Sequence, residues 1–172
     1  MNRSSSVPRR RVELIDTSVL LEILKVPFES DRFDVISEEF DAKHERGVVL
    51  QIPMATVLET GAHIRRINDG ERRRSCARNF IEFLESALDT ISPWEFRPFL
   101  WDDKVIRAIL NGQDHGYTLE YSIGFGNFEI GDLAIIEEWR LASKAFPRKQ
   151  VDVDIWTLDT ELRGIVDGLR GR

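Results

Sequence analysis

Residues 12–21 constrain the fold more than any other stretch of the chain. Val12-Glu13-Leu14-Ile15 is short, largely apolar and β-branched at Val12 and Ile15. It ends on Asp16 and passes at once into a helical pattern, with Ser18 as the expected N-cap and Val19, Leu20, Ile23 and Leu24 on one apolar face. A buried strand that turns directly into a helix is the first half of a βαβ unit. An acid at that junction sits at the carboxyl end of a strand, the edge where open parallel sheets bind ligands.

The same alternation recurs along the chain. Val26-Pro27 ends the first helix, because a residue before proline avoids the helical region. Ser30 is expected to cap a second helix bearing Phe33, Ile36 and Phe40, with Gly47 at its stop. Val48–Ile52 reads as the second strand, and a helix after Pro53 carries Met54, Val57, Gly61 and Ile64 on one stripe. Asn68-Asp69-Gly70 marks a turn before an amphipathic helix over 72–88, with Cys76 beside its packed stripe. A short strand is expected within Pro93–Leu100, confined to an edge by Pro98. Asp102 caps the next helix, which Asn111-Gly112 closes. Residues 112–131, rich in glycine and aromatics, read as a long loop insertion. Asp132 opens a helix through Phe146. Val151–Thr157 alternates apolar residues with Asp152 and Asp154, as a strand with one solvated face would, and a last helix follows Asp159.

Strands alternating with helices predict an α/β fold with a mainly parallel sheet and helices on both faces. At 172 residues the chain suits a single domain, here 12–172, preceded by a flexible basic arm over 1–11. The single cysteine excludes an internal disulfide and a thiolate zinc cluster within one chain. Glu13, Asp16 and Glu22 interrupt the apolar run after the basic arm, so neither a signal peptide nor a membrane span is expected, and the cytoplasm is the expected location. A net charge of −6 does not suit a general nucleic-acid coat, yet it accommodates a nuclease whose acidic centre is flanked by basic patches.

Four acids fall where a strand hands over to a helix or within the first turns that follow: Asp16, Glu59, Asp132 and Asp159. A shared sheet edge would bring them together. Two like charges about 4 Å apart cost about 4 kcal/mol at an effective dielectric constant of about 20, so such a cluster needs cations or must give up ionisation. All-oxygen ligation suits Mg²⁺ or Mn²⁺, and metal-assisted phosphodiester hydrolysis is the chemistry the arrangement favours. Asp132 and Asp159, each taken alone, are as well explained as helix caps; Glu59 interrupts an otherwise apolar and small-residue helix, and Asp16 follows directly on an apolar strand.

Leu14-Ile15-Asp16-Thr17-Ser18-Val19-Leu20 resembles the opening strand of the PIN-domain ribonucleases, a family that includes the toxins of VapBC-type toxin–antitoxin pairs. Val57-Leu58-Glu59-Thr60-Gly61, Gly131-Asp132-Leu133-Ala134-Ile135 and Trp156-Thr157-Leu158-Asp159 are similar to its next three motifs, in order. The resemblance implies a Rossmann-like α/β/α sandwich and Mg²⁺- or Mn²⁺-dependent endonucleolytic cleavage of RNA, leaving a 5′-phosphate and a 3′-hydroxyl. It assigns catalysis and metal binding to Asp16, Glu59, Asp132 and Asp159, with Thr17 and Thr157 supporting them by hydrogen bonds. The implied partners are RNA and, for a toxin, an antitoxin protein; a homodimer is a further expectation.

Arg65, Arg66, Arg72, Arg73 and Arg74, with Arg78, form a basic run suited to RNA phosphates or to a solvated or partner-binding face. His63 lies one turn after Glu59 on the same side of a helix. The main alternative is a non-catalytic module of the same fold that binds RNA or protein. A phosphotransfer enzyme on a similar sheet is disfavoured, because it would want a second aspartate where Ser18 stands.

Overall fold

The structure is a computed structural model that describes residues 9–89, 92–96, 99–112, 115–125, 129–147 and 150–170. In chain order the elements are β1 (Arg10–Ile15), α1 (Thr17–Ile23), α2 (Phe33–Glu45), β2 (Val49–Gln51), α3 (Met54–Arg65), α4 (Gly70–Leu88), β3 (Trp94–Glu95), α5 (Asp103–Asn111), α6 (Leu119–Phe125), α7 (Ile130–Ala145), β4 (Val151–Trp156) and α8 (Thr160–Arg170). The strands form one sheet in the order β3-β2-β1-β4, and every pairing is parallel. This is the expected Rossmann-like α/β/α sandwich. β1 starts at Arg10, inside the stretch assigned to the arm, while residues 1–8 lie outside the described residues. Among the described residues no helix is long and apolar enough to cross a membrane.

Successive side chains of a strand face opposite sides, so β1 supplies both halves of the core. Ile15 joins Val19, Leu20, Ile36, Leu50 and Trp156 on one side, whereas Leu14 joins Leu133, Ile136, Ile155, Leu162 and Val166 on the other. Burial on two faces is why residues 12–15 carry so little polarity. Helix α7 is buried on most of its circumference, Leu133–Arg140 without a break. Leu133 is fully buried, so Leu133→Ala should lower stability by about 2–5 kcal/mol. That loss would be read as a lower urea midpoint with an unchanged denaturant slope.

Several local expectations are corrected. Asp16, not Ser18, caps α1. Ser30 caps nothing: its hydroxyl donates to the Val26 carbonyl at 2.9 Å, and α2 begins after Arg32, which makes no side-chain cap bond. On α3 the buried face is Ala55, Thr56, Thr60 and Ile64, whereas Met54 is 47% exposed. The Thr56 hydroxyl donates to the Ile15 carbonyl at 2.7 Å, and that bond turns a polar face inward against the end of β1. Asp154 is buried in β4, held by Arg11, Arg163 and Arg170, so this strand has no simple solvated face. Residues 112–131 contain α6, and Tyr117 packs into the second core cluster. The buried His115–Glu137–Arg140 group holds the start of that stretch to α7, Glu137 accepting from Arg140 at 2.6 and 2.8 Å. Pro98, Gly126 and Phe128 lie outside the described residues.

Asp102 and Gly112 bound α5 as expected. Asp102 accepts from the Val105 amide at 3.0 Å, and Gly112 stops the helix at φ +61°. A Cβ at Gly112 would also run into the Tyr117 backbone.

Candidate active site

The sheet is wound in both directions from β1, towards β2 and β3 on one side and β4 on the other. A crevice opens at such a switch point, past the carboxyl ends of the strands. Asp16 leaves β1 there. Its amide bonds the Trp156 carbonyl of β4 at 3.0 Å, and its side chain caps α1. Asp16 Oδ2 accepts from the hydroxyls of Ser18 at 2.5 Å and Thr157 at 2.7 Å. The Ser18 hydroxyl in turn accepts the Leu158 amide at 3.0 Å, and Thr157 accepts the Asp159 amide at 2.9 Å. Asp159 is an N-terminal cap as well, its Oδ1 accepting from Glu161 at 2.7 Å and Leu162 at 3.1 Å. One hydroxyl-rich junction thus fixes Asp16 and Asp159 together across β1 and β4.

Glu59 comes from the second turn of α3. Thr17 donates to its Oε2 at 2.7 Å. The carboxylate lies against Gly131, where a Cβ would overlap Glu59 Oε1 and Cδ. The glycine therefore leaves the space that the Glu59 carboxylate occupies at the start of α7. Asp132 is not the N-cap of α7. It is the third residue of a capping box in which Glu129 is the cap, and Asp132 Oδ2 accepts the Glu129 amide at 3.0 Å.

Asp16, Glu59, Asp132 and Asp159 all line one open cleft of about 530 Å³, with Thr17, Ser18, Glu22, Glu29, Glu129 and His63 among the other walls. Burial pushes the Asp132 carboxyl up to about 7; its bond from the Glu129 amide opposes this, and the charges of Asp16, Asp159 and Glu59 add to it. Burial also raises Glu59, against the Thr17 hydrogen bond and with repulsion from Glu129 and Asp16. Away from the cleft, burial pushes Glu138 up to about 7.

The sign of the resulting pH dependence follows from proton binding. Asp132 keeps its proton to higher pH in the folded chain than in the unfolded one. Between its ordinary value of 3.8 and about 7 the folded state therefore binds more protons, and stability falls as pH rises. Asp132→Asn removes this effect. In chelator the variant should melt above the wild type at about pH 8, with the gap narrowing towards about pH 5, in thermal scans followed by circular dichroism.

All four acids named from the sequence line one cleft; Thr17 lines it with them, and Thr157 bonds to Asp16. His63 joins them, its Nδ1 at 3.3 Å from Glu29 Oε1. The basic run does not line this cleft. Arg65 and Arg66 close α3 and Arg72, Arg73 and Arg74 open α4, with Arg66 and Arg72 in a neighbouring cavity. Sequence reasoning did not assign Ser18, Gly131, Glu129 or Glu22 to the site. Buried Glu22 accepts the Arg32 amide at 3.0 Å and holds the cleft rim. Gly131 stands directly before Asp132 in the sequence motif, yet nothing along the chain marked its contact with Glu59, and nothing marked Glu22.

The donors suit a hard divalent cation in kind, since every one is a carboxylate oxygen. They do not form a closed shell: among the described residues no group of three or more His, Cys, Asp or Glu side chains is set to hold a metal ion. Mg²⁺ does not require such a cage, because it takes one or two carboxylates and completes its shell with water and substrate phosphate. Together the fold and the cleft define an α/β sandwich with an acid-lined crevice at its topological switch point. Among known proteins, no family model, no curated protein and no solved structure matches the chain significantly.

Proposed function

We propose that the chain is a Mg²⁺- or Mn²⁺-dependent endoribonuclease of PIN-domain type. The observation that carries this is the convergence of Asp16, Glu59, Asp132 and Asp159 on one cleft, where burial first and then the other three charges push Asp132 up to about 7. A phosphodiester cannot approach so many carboxylates without cations between. A bound Mg²⁺ or Mn²⁺ supplies that neutralisation, together with polarisation of the phosphoryl group and a more acidic water. The four carboxylates hold the cation, directly or through water. Thr157 and Ser18 fix one oxygen of Asp16, Thr17 fixes one of Glu59, and the Glu129 amide fixes one of Asp132. Each of these bonds turns a carboxylate without using both of its oxygens. In this reading the chain works in the cytoplasm, an antitoxin protein is the partner that would hold a toxin in check, and a second copy is the other expected partner.

The alternative, a non-catalytic module of the same fold, draws support from the absence of a ready-made three-ligand group among the described residues. Incubating the purified chain with single-stranded RNA separates the two. A nuclease cleaves in Mn²⁺ and not in chelator, leaving 5′-phosphate ends. Intact RNA under every divalent cation tested supports the module.

A further inference from the structure

We propose that the cavity beside the carboxylate cleft is a nucleotide subsite, in which Phe28 stacks on a base of single-stranded RNA while Arg66 and Arg72 take the flanking phosphates. The identity of the ligand rests on the nuclease reading; the site itself rests on separate observations. Phe28 is 96% exposed and sits at φ +68°. Among the described residues only Lys25 shares a positive φ without being glycine, and both lie in the connection between α1 and α2. A bulky residue held in that region is strained, and such strain gathers at functional sites.

The connection is tied down on both sides of Phe28. Val26 is fully buried and its amide bonds the Leu21 carbonyl at 3.0 Å. The Val26 carbonyl accepts from the Glu29 amide at 3.1 Å and the Ser30 hydroxyl at 2.9 Å. The aromatic ring is thus presented outward by a fixed backbone.

Phe28, Pro27, Ile67, Arg66 and Arg72 line a cavity of about 340 Å³, which meets the carboxylate cleft at Glu29 and His63, residues common to both. No ion pair among the described residues engages the Arg66 or Arg72 guanidinium. Asp69, in the same wall, is committed to capping α4 through the Arg72 amide at 2.8 Å. An aromatic face takes any base, and arginine pairs with phosphate through two parallel bonds. A strand laid across both cavities would run from the acids past Glu29 and His63 to Phe28.

The test measures, in Mn²⁺, binding of a short labelled single-stranded RNA with non-hydrolysable linkages, and hydrolysis of its natural counterpart and of bis(p-nitrophenyl) phosphate, which has no base. Phe28→Gly suits the positive φ and should fold as the wild type does. It should weaken RNA binding about tenfold, whereas Phe28→Trp retains it. The Arg66→Gln/Arg72→Gln variant should bind more weakly and with a shallower salt dependence. All three should hydrolyse the small diester at the wild-type rate. Wild-type affinity in Phe28→Gly, equal weakness in Phe28→Trp, or no binding by the wild type overturns the subsite. Phe28-dependent RNA binding by a chain that hydrolyses neither diester keeps the subsite and overturns the nuclease.

Discussion

Asp16→Asn should abolish Mn²⁺-stimulated RNA cleavage and leave the fold intact. The two halves of that expectation have separate causes. Asn caps a helix about as well as Asp, and its carbonyl oxygen can still accept from Ser18 and Thr157, so the junction between α1 and β4 survives. The negative charge does not survive, and with it goes the carboxylate most firmly fixed in the cleft. The far-ultraviolet circular dichroism and the thermal midpoint should match the wild type while gel assays show no cleavage above the chelator background. Cleavage at the wild-type rate would remove Asp16 from the site.

Gly131→Ala should cost activity without costing stability. The added methyl group would occupy the space of the Glu59 carboxylate, and the end of a flexible side chain yields more readily than the backbone of α7. Glu59 would then leave the Thr17 hydroxyl and its place beside Asp132. Mispositioning a ligand in this way costs about 10–100-fold in metal affinity or activity. Alanine is a better helix former than glycine by up to about 1 kcal/mol, so the melting temperature should hold or rise. Single-turnover cleavage and a thermal melt on the same preparation check both parts. Full activity in Gly131→Ala would show that the position of Glu59 does not matter to the chemistry.

The parallel sheet and the convergence of the acids follow from features that short windows of sequence carry, whereas the strand order does not. Residues 12–15 must be buried on both faces, and the acids that end or follow the strands then share one edge. Asp102 and Gly112 were legible for a related reason, since caps and left-handed stops obey local rules. What escaped depends on partners distant in the chain. Asp154 is buried because Arg11, Arg163 and Arg170 come to it from outside its own strand. Thr56 faces inward because the carbonyl of Ile15 waits there. The contact between Gly131 and Glu59 spans two helices, and no period along either records it. The glycines of 112–131 concealed α6, whose Tyr121 meets Tyr117 edge-on at 5.8 Å and Phe125 at a tilt at 5.2 Å.

Paramagnetic broadening by Mn²⁺ of the chain's amide resonances tests the central claim most directly, because it locates the cation whether or not RNA is cut. Substoichiometric Mn²⁺, added with and without a non-hydrolysable RNA, should broaden Thr17, Ser18, Gly131, Asp132 and Asp159 first and leave α4 and α5 sharp. Excess Mg²⁺ should restore the signals, and Asp16→Asn should lose the effect. Broadening centred elsewhere, or none at these residues even with RNA present, would contradict a cation site built from the four carboxylates.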